Sequence, residues 1–155
     1  MTKFVQVPIS DLKDEILDWA VSKVSNPEGR DGFGWFERDS EGFLFDPLNE
    51  CRYSPSTDWR EGGPIIENSA IDLDSMPARA AKFRFHAIMT SSVKDGMGFY
   101  PRVSHYGPTA LVAAMRCFVQ SHCVENTIGV PEAMLAYERP KAASVTGGPT
   151  SFGGF

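Results

Sequence analysis

Two stretches of the chain carry the residue types that hold small ligands. The first is Tyr53-Ser54-Pro55-Ser56-Thr57-Asp58-Trp59, followed by Gly62-Gly63-Pro64. The rings of Tyr53 and Trp59 offer flat faces for a base. Ser56, Thr57 and Asp58 bond nearby backbone N–H groups and hold a turn. Gly62 and Gly63 permit backbone conformations closed to other residues. The second stretch is Gly107-Pro108-Thr109, which reads as a helix start: Pro suits the first turn, and Gly or Thr can cap. A helix N-terminus presents N–H groups and positive partial charge that suit phosphate or carboxylate. Where the two stretches meet, Tyr53, Ser56, Thr57, Asp58, Trp59, Gly62, Gly63 and Thr109, with Arg116 from the same helix, can form a cleft for a nucleotide-like molecule. The purely structural alternative stays open, since hydroxyl-rich turns, a core Trp and a capped helix occur in most domains. Arg116 likewise has a structural option, an ion pair with an acid such as Glu67.

Catalytic signatures are missing. The chain has no G-x-x-x-x-G-K-[ST] loop, no G-x-G-x-x-G, no G-x-S-x-G and no H-E-x-x-H. His105 is the best candidate base should a nucleophile meet it in the fold. Cys117, His122 and Cys123 are close in sequence, but their helical spacing does not converge on a tetrahedral site. No metal or cofactor is expected, and a binder is favoured over an enzyme. Cys51, Cys117 and Cys123 form no C-x-x-C pair. They read as free thiols in a reducing compartment, Cys117 as a small buried hydrophobe.

The 155 residues are enough for one domain with a core of its own. Apolar residues make up 42% and charged residues 23%, which fits a globular chain. A net charge of -5 disfavours nucleic acid as a partner; the Arg79, Lys82, Arg84 run reads as a solvated face. Met1 to Val7 lacks the apolar region of a signal peptide, and no apolar run reaches membrane length. A cytoplasmic protein without membrane contact is expected.

The elements that must position these residues follow from periodicity. Lys3–Val7 alternates as a strand with Phe4 half buried, ended by Pro8. Ser10 or Asp11 then caps a helix to about Ser25, with Leu12, Ile16, Leu17, Ala20 and Val24 on its apolar face; Asp18 and Trp19 lie just off that face. Phe33–Arg38 and Gly42–Asp46 flank Asp39-Ser40-Glu41 as a plausible hairpin. Residues 53–66 read as a loop feeding a short strand that can continue from Glu67 to Leu73. Phe83, Phe85, Ala87 and Met89 mark a strand over 82–90. Ser91–Tyr106 reads as a loop. A helix over 108–122 buries Leu111, Ala114, Met115, Phe118 and Val119, and a short helix spans Pro131–Tyr137. The expected fold is α+β: a small antiparallel or mixed sheet on two main helices (about 10–25 and 108–122), with long Gly/Pro-rich loops. Residues 1–139 form the domain, and 140–155 a low-complexity tail.

Four blocks resemble the phage NinX-like family. They are Leu17-Asp18-Trp19-Ala20-Val21; Tyr53–Trp59 with Gly62-Gly63-Pro64-Ile65-Ile66-Glu67; Gly107-Pro108-Thr109 with Leu111, Ala113-Ala114-Met115-Arg116-Cys117 and Val119; and Val130-Pro131-Glu132 through Leu135. Regions 29–48 and 76–106 are longer than that pattern, and the tail is extra. The resemblance implies a phage-encoded accessory protein acting in the bacterial host cytoplasm, and supplies no activity. By analogy with small phage proteins that counter host defence, the partner is a sequestered nucleotide-like signal or, alternatively, a host protein that the chain inhibits. A homo-oligomer is also expected.

Overall fold

The computed structural model describes residues 3–25, 37–38, 44–46 and 51–136. The Asn26–Gly29 stop, most of the 29–48 region and the 140–155 tail lie outside the described residues.

Strand β1 (Phe4–Pro8) runs into a 3-10 turn, Ile9–Asp11, and then helix α1 (Asp14–Ser25). Neither Ser10 nor Asp11 caps α1, because Ile9 and Leu12 are both driven into the core and a single α-helix from residue 10 does not form there. Asp14 makes the junction with φ of 53°, a conformation Asp tolerates better than most residues. β1 pairs antiparallel with β8 (Thr127–Pro131), from Phe4 opposite Pro131 to Pro8 opposite Thr127. Ile9 N–H to Asn126 O and Glu132 N–H to Lys3 O extend the ribbon at both ends. Phe4 is 48% exposed, so about half of its surface is covered on this two-stranded ribbon.

Strands β2 (Glu37–Arg38), β3 (Leu44–Asp46) and β4 (Cys51–Arg52) form an antiparallel meander. Glu37 lies opposite Phe45 and Arg38 opposite Leu44; the 39–41 link of the expected hairpin lies outside the described residues. The principal sheet is β5 (Asp72–Ser75), β6 (Phe85–Thr90) and β7 (Arg102–Gly107), all antiparallel. Ala87 and Met89 point from β6 into the core as their alternation requires.

Helix α2 is Trp59–Asn68, α3 is Ala110–Gln120 and the short α4 is Glu132–Ala136. α3 is the hub. It lies across β6 and β7 and packs on α1 and α2, burying Leu111, Ala113, Ala114, Met115, Cys117 and Val119. A helix apolar around so much of its circumference belongs in the middle of a domain. Trp19 and Val21 are fully buried against this centre, so α1 buries more than the stripe read from its spacing.

The fold is α+β, as the sequence implied, with a small antiparallel sheet against helices. Two segments differ from expectation. Residues 59–68 are helical, where a loop and strand were expected. Two Gly and a Pro each penalise a helix interior, and here tertiary contact overrides them: a Cβ on Gly62 would overlap Pro55 O and meet Leu111 Cδ2 at 2.6 Å. Residues 102–107 are a strand, not loop. Pairing with β6 along six positions creates it, although its outward residues Arg102 and Ser104 give no strand signal.

Candidate functional site

The Tyr53–Pro64 segment is a turn leading into the first two turns of α2. Ser54 O accepts N–H bonds from Thr57 (3.1 Å) and Asp58 (2.8 Å). Asp58 then caps α2, its Oδ1 accepting Arg60 N–H at 2.9 Å. The Arg60 side chain folds back on the same carboxylate at 3.1 Å, and these bonds hold the Asp58 carboxyl below its ordinary range. Glu61 Oε1 accepts Ser54 N–H at 2.6 Å. Partial burial pushes the Glu61 carboxyl up, opposed by that amide bond.

These groups surround an open cleft of about 500 Å³ lined by Arg52, Ser54, Asp58, Arg60 and Glu61, within the usual range of small-ligand sites. Two guanidinium-bearing residues and a hydroxyl suit an oxyanion, although Asp58 and Glu61 balance their charge and Arg60 is paired with Asp58. Trp59 stands between two lining residues in sequence, with 57% of its surface exposed.

Behind this wall lies a buried acid. Asp18 of α1 accepts Ser56 N–H at 2.8 Å. Burial pushes its carboxyl up to about 7; Ser56 opposes the rise, while Glu61 and Glu15 add to it. The Ser56 hydroxyl is buried without a well-formed hydrogen bond among the described residues.

The expected site residues divide. Of the nine, Asp58 lines the cleft. Trp59 and Thr57 are exposed beside it, whereas Ser56 is buried beneath it. Tyr53 packs against the core. Gly62 brings α2 against Leu111 in the first turn of α3, and Gly63 lies near the Trp59 ring. Thr109 uses its hydroxyl to cap α3, accepting Val112 N–H at 3.1 Å. Arg116 turns elsewhere, donating from Nε to Leu12 O and from a terminal nitrogen to Tyr106 O, both at 2.8 Å. Arg52, Ser54, Arg60, Glu61 and Asp18 were not foreseen. Their signal in the sequence was a run of opposite charges around the turn, together with one acid inside an apolar helix.

His105 sits under the sheet, 3.1 Å from Gln120 Oε1, and burial lowers its basicity. The Cys117 thiol donates to Val103 O, and burial pushes it up to about 12. Among the described residues no group of three or more His, Cys, Asp or Glu could hold a metal, and no helix is long and apolar enough to cross a membrane.

A small α+β domain with a polar cleft at a helix start is the class defined by these features. The family model for bacteriophage P22 NinX matches residues 8–122, and the chain belongs to that family of phage accessory proteins. No curated protein matches it.

Proposed function

We propose that the chain binds a small, planar, anionic molecule of nucleotide type in the Arg52–Glu61 cleft and sequesters it without chemical turnover. A host defence signal is one such molecule. The observation that carries this reading is Trp59, a large ring 57% exposed on the first turn of α2 and next in sequence to Arg60. A ring of that size is usually covered, and an exposed one beside cationic groups matches how bases and phosphates are held together.

Native mass spectrometry of the protein with and without a host metabolite extract tests it. The expected result is a bound species of a few hundred daltons that is lost on denaturation. Trp59→Ala and Arg60→Ala should abolish that species and leave the melting temperature within a few degrees of the parent. A clean apo spectrum in both samples overturns the reading.

A second reading, a module that blocks a host protein, draws support from the β6–β7 connection. Asp95 Oδ1 accepts the N–H groups of Met97 and Phe99 there, fixing a turn on which Met97 is 82%, Phe99 68% and Tyr100 53% exposed. Exposed apolar side chains on a fixed turn are what partner pockets take up. Loss of host-factor inhibition on Met97→Ser with Phe99→Ser, with the cleft left intact, would favour it. The homo-oligomer and the cytoplasmic location belong to both readings, and light scattering checks the first.

A further inference from the structure

We propose that Asp18 is the proton-linked positioning residue of the cleft: its buried carboxyl seats the Ser54–Glu61 wall from behind, and an anionic ligand in front of that wall favours the protonated form. The ligand half of this inference rests on the cleft reading above; the anchor half rests on contacts alone.

Asp18 and Ser56 are 38 positions apart and meet in the interior, with Asp18 5% and Ser56 1% exposed. One carboxylate oxygen holds the Ser56 amide. The Ser56 hydroxyl acts on the same carboxyl yet lacks a well-formed bond of its own, which leaves it ready to accept from a protonated Asp18. The seat of Ser56 passes to the rest of the wall. Two residues before it, Ser54 N–H is held by Glu61; two residues after it, Asp58 O accepts the N–H groups of Glu61 and Gly62. Moving Ser56 therefore moves Ser54, Asp58 and Glu61, three of the residues that line the cleft.

The charges facing Asp18 set the sign. Glu61 from α2 and Glu15 from its own helix are both acidic. α3, packed on α1, contributes Arg116, whose guanidinium is held by Leu12 O and Tyr106 O and whose charge acts on Asp11. An anion in the cleft adds one more negative charge to this side, so it raises the proton affinity of Asp18. By reciprocity, the protonated protein binds the anion more tightly.

NMR of the full chain tests the anchor without a ligand. The Asp18 carboxyl carbon and the amides of Ser54, Ser56 and Arg60 are followed from pH 5 to pH 9. A shared midpoint near neutrality is expected. An Asp18 that titrates in the ordinary carboxylate range, or wall amides that ignore its titration, overturns the anchor. Adenosine monophosphate is the probe for the ligand half, with affinity measured by calorimetry at pH 6 and pH 8. With the Asp18 carboxyl near 7 in the free protein and one unit higher in the complex, binding would be about fivefold weaker at pH 8 than at pH 6. Asp18→Asn keeps an oxygen for the Ser56 N–H but takes up no proton, and should lose that dependence. Equal pH dependence in both proteins overturns the linkage. Absence of binding at either pH overturns the linkage and the cleft reading together, whereas a shared NMR midpoint would still support the anchor, so the two failures are told apart.

Discussion

At the scale of single residues, the least ordinary feature is a carboxyl inside an apolar helix face. Burial raises the Asp18 carboxyl from its ordinary 3.8 to about 7 in the folded protein. A raised acid favours the folded state most when protonated, so its contribution is full below about pH 4 and is lost as pH rises through 7. The shift bounds that loss at about 4 kcal/mol. Asp18→Asn is therefore expected to be more stable than the parent at pH 8 by about 2 kcal/mol or more, with the difference shrinking towards pH 5. Urea unfolding at the two pH values measures it, and a variant less stable than the parent at pH 8 would refute the argument. Gly62 poses the opposite case, a residue defined by what it lacks. Gly62→Ala places a methyl against Pro55 O and Leu111 Cδ2. The Pro55 backbone cannot give way as a flexible side chain would, so the cost should be about 1–3 kcal/mol in a urea midpoint.

At the scale of elements, helix ends account for much of what the sequence concealed. α2 ends in a Schellman arrangement: Ala70 N–H reaches Glu67 O at 3.3 Å and Ile71 N–H reaches Ile66 O at 3.1 Å. Ile71 is buried, and Ile66 packs on the core beside it. The position that normally takes Gly is Ala70, with φ of 53°. Ala70→Gly should relieve that strain and stabilise the protein by about 1 kcal/mol, despite the usual entropic cost of glycine; a lower melting temperature would show the strain to be absent. α3 illustrates the reverse, an end legible in advance. Gly107-Pro108-Thr109 announced a start, and Thr109 caps it. A Cβ on Gly107 would meet Ala113 N at 2.7 Å, so the glycine is there to let the end of β7 pass over the helix. Two of the strands that were overlooked, β7 and β8, share a cause. Arg102, Ser104 and His105 in one, and Gly129 in the other, dilute the strand signal of Val103, Tyr106, Thr127, Ile128 and Val130, and pairing with β6 and β1 supplies the rest.

At the scale of the whole molecule, α3 ties the parts together. Its first turn adjoins α2 and the cleft side through Leu111. Its last turn is bonded to the end of β6, with Ser91 Oγ and Ser92 N–H both donating to Ser121 O. An 11-residue helix is about 16 Å long, so the cleft and the exposed Met97–Tyr100 turn lie towards opposite ends of it. This central position can be read out chemically. Cys117 is fully buried at the middle of α3 with its thiol pushed up to about 12, whereas Cys123 is partly accessible. Iodoacetamide at pH 8 should spare Cys117 until the protein unfolds globally, because only the thiolate reacts. Alkylation of Cys117 at a rate matching Cys123 in native buffer would mean that α3 opens locally.

What the sequence determined by itself were the parts governed by local chemistry: the α+β class, the apolar faces of α1 and α3, the Thr109 cap, the inward alternation of Ala87 and Met89, and the blocks that resemble the NinX family. The faces, the cap and the alternation each follow from residues within a turn or two of one another. Tertiary structure decided the rest. It made Trp59–Asn68 a helix against the preferences of two Gly and a Pro, because a close approach to Pro55 and Leu111 requires a residue without a side chain at position 62. It turned Arg116 to backbone oxygens of Leu12 and Tyr106, which are 104 and 10 positions away. It also set Asp18 beneath Ser56, 38 positions on. Periodicity describes which face of an element is apolar, but not which distant backbone group will meet a polar side chain there. That choice is made only when the core closes and every buried N–H and C=O must find a partner.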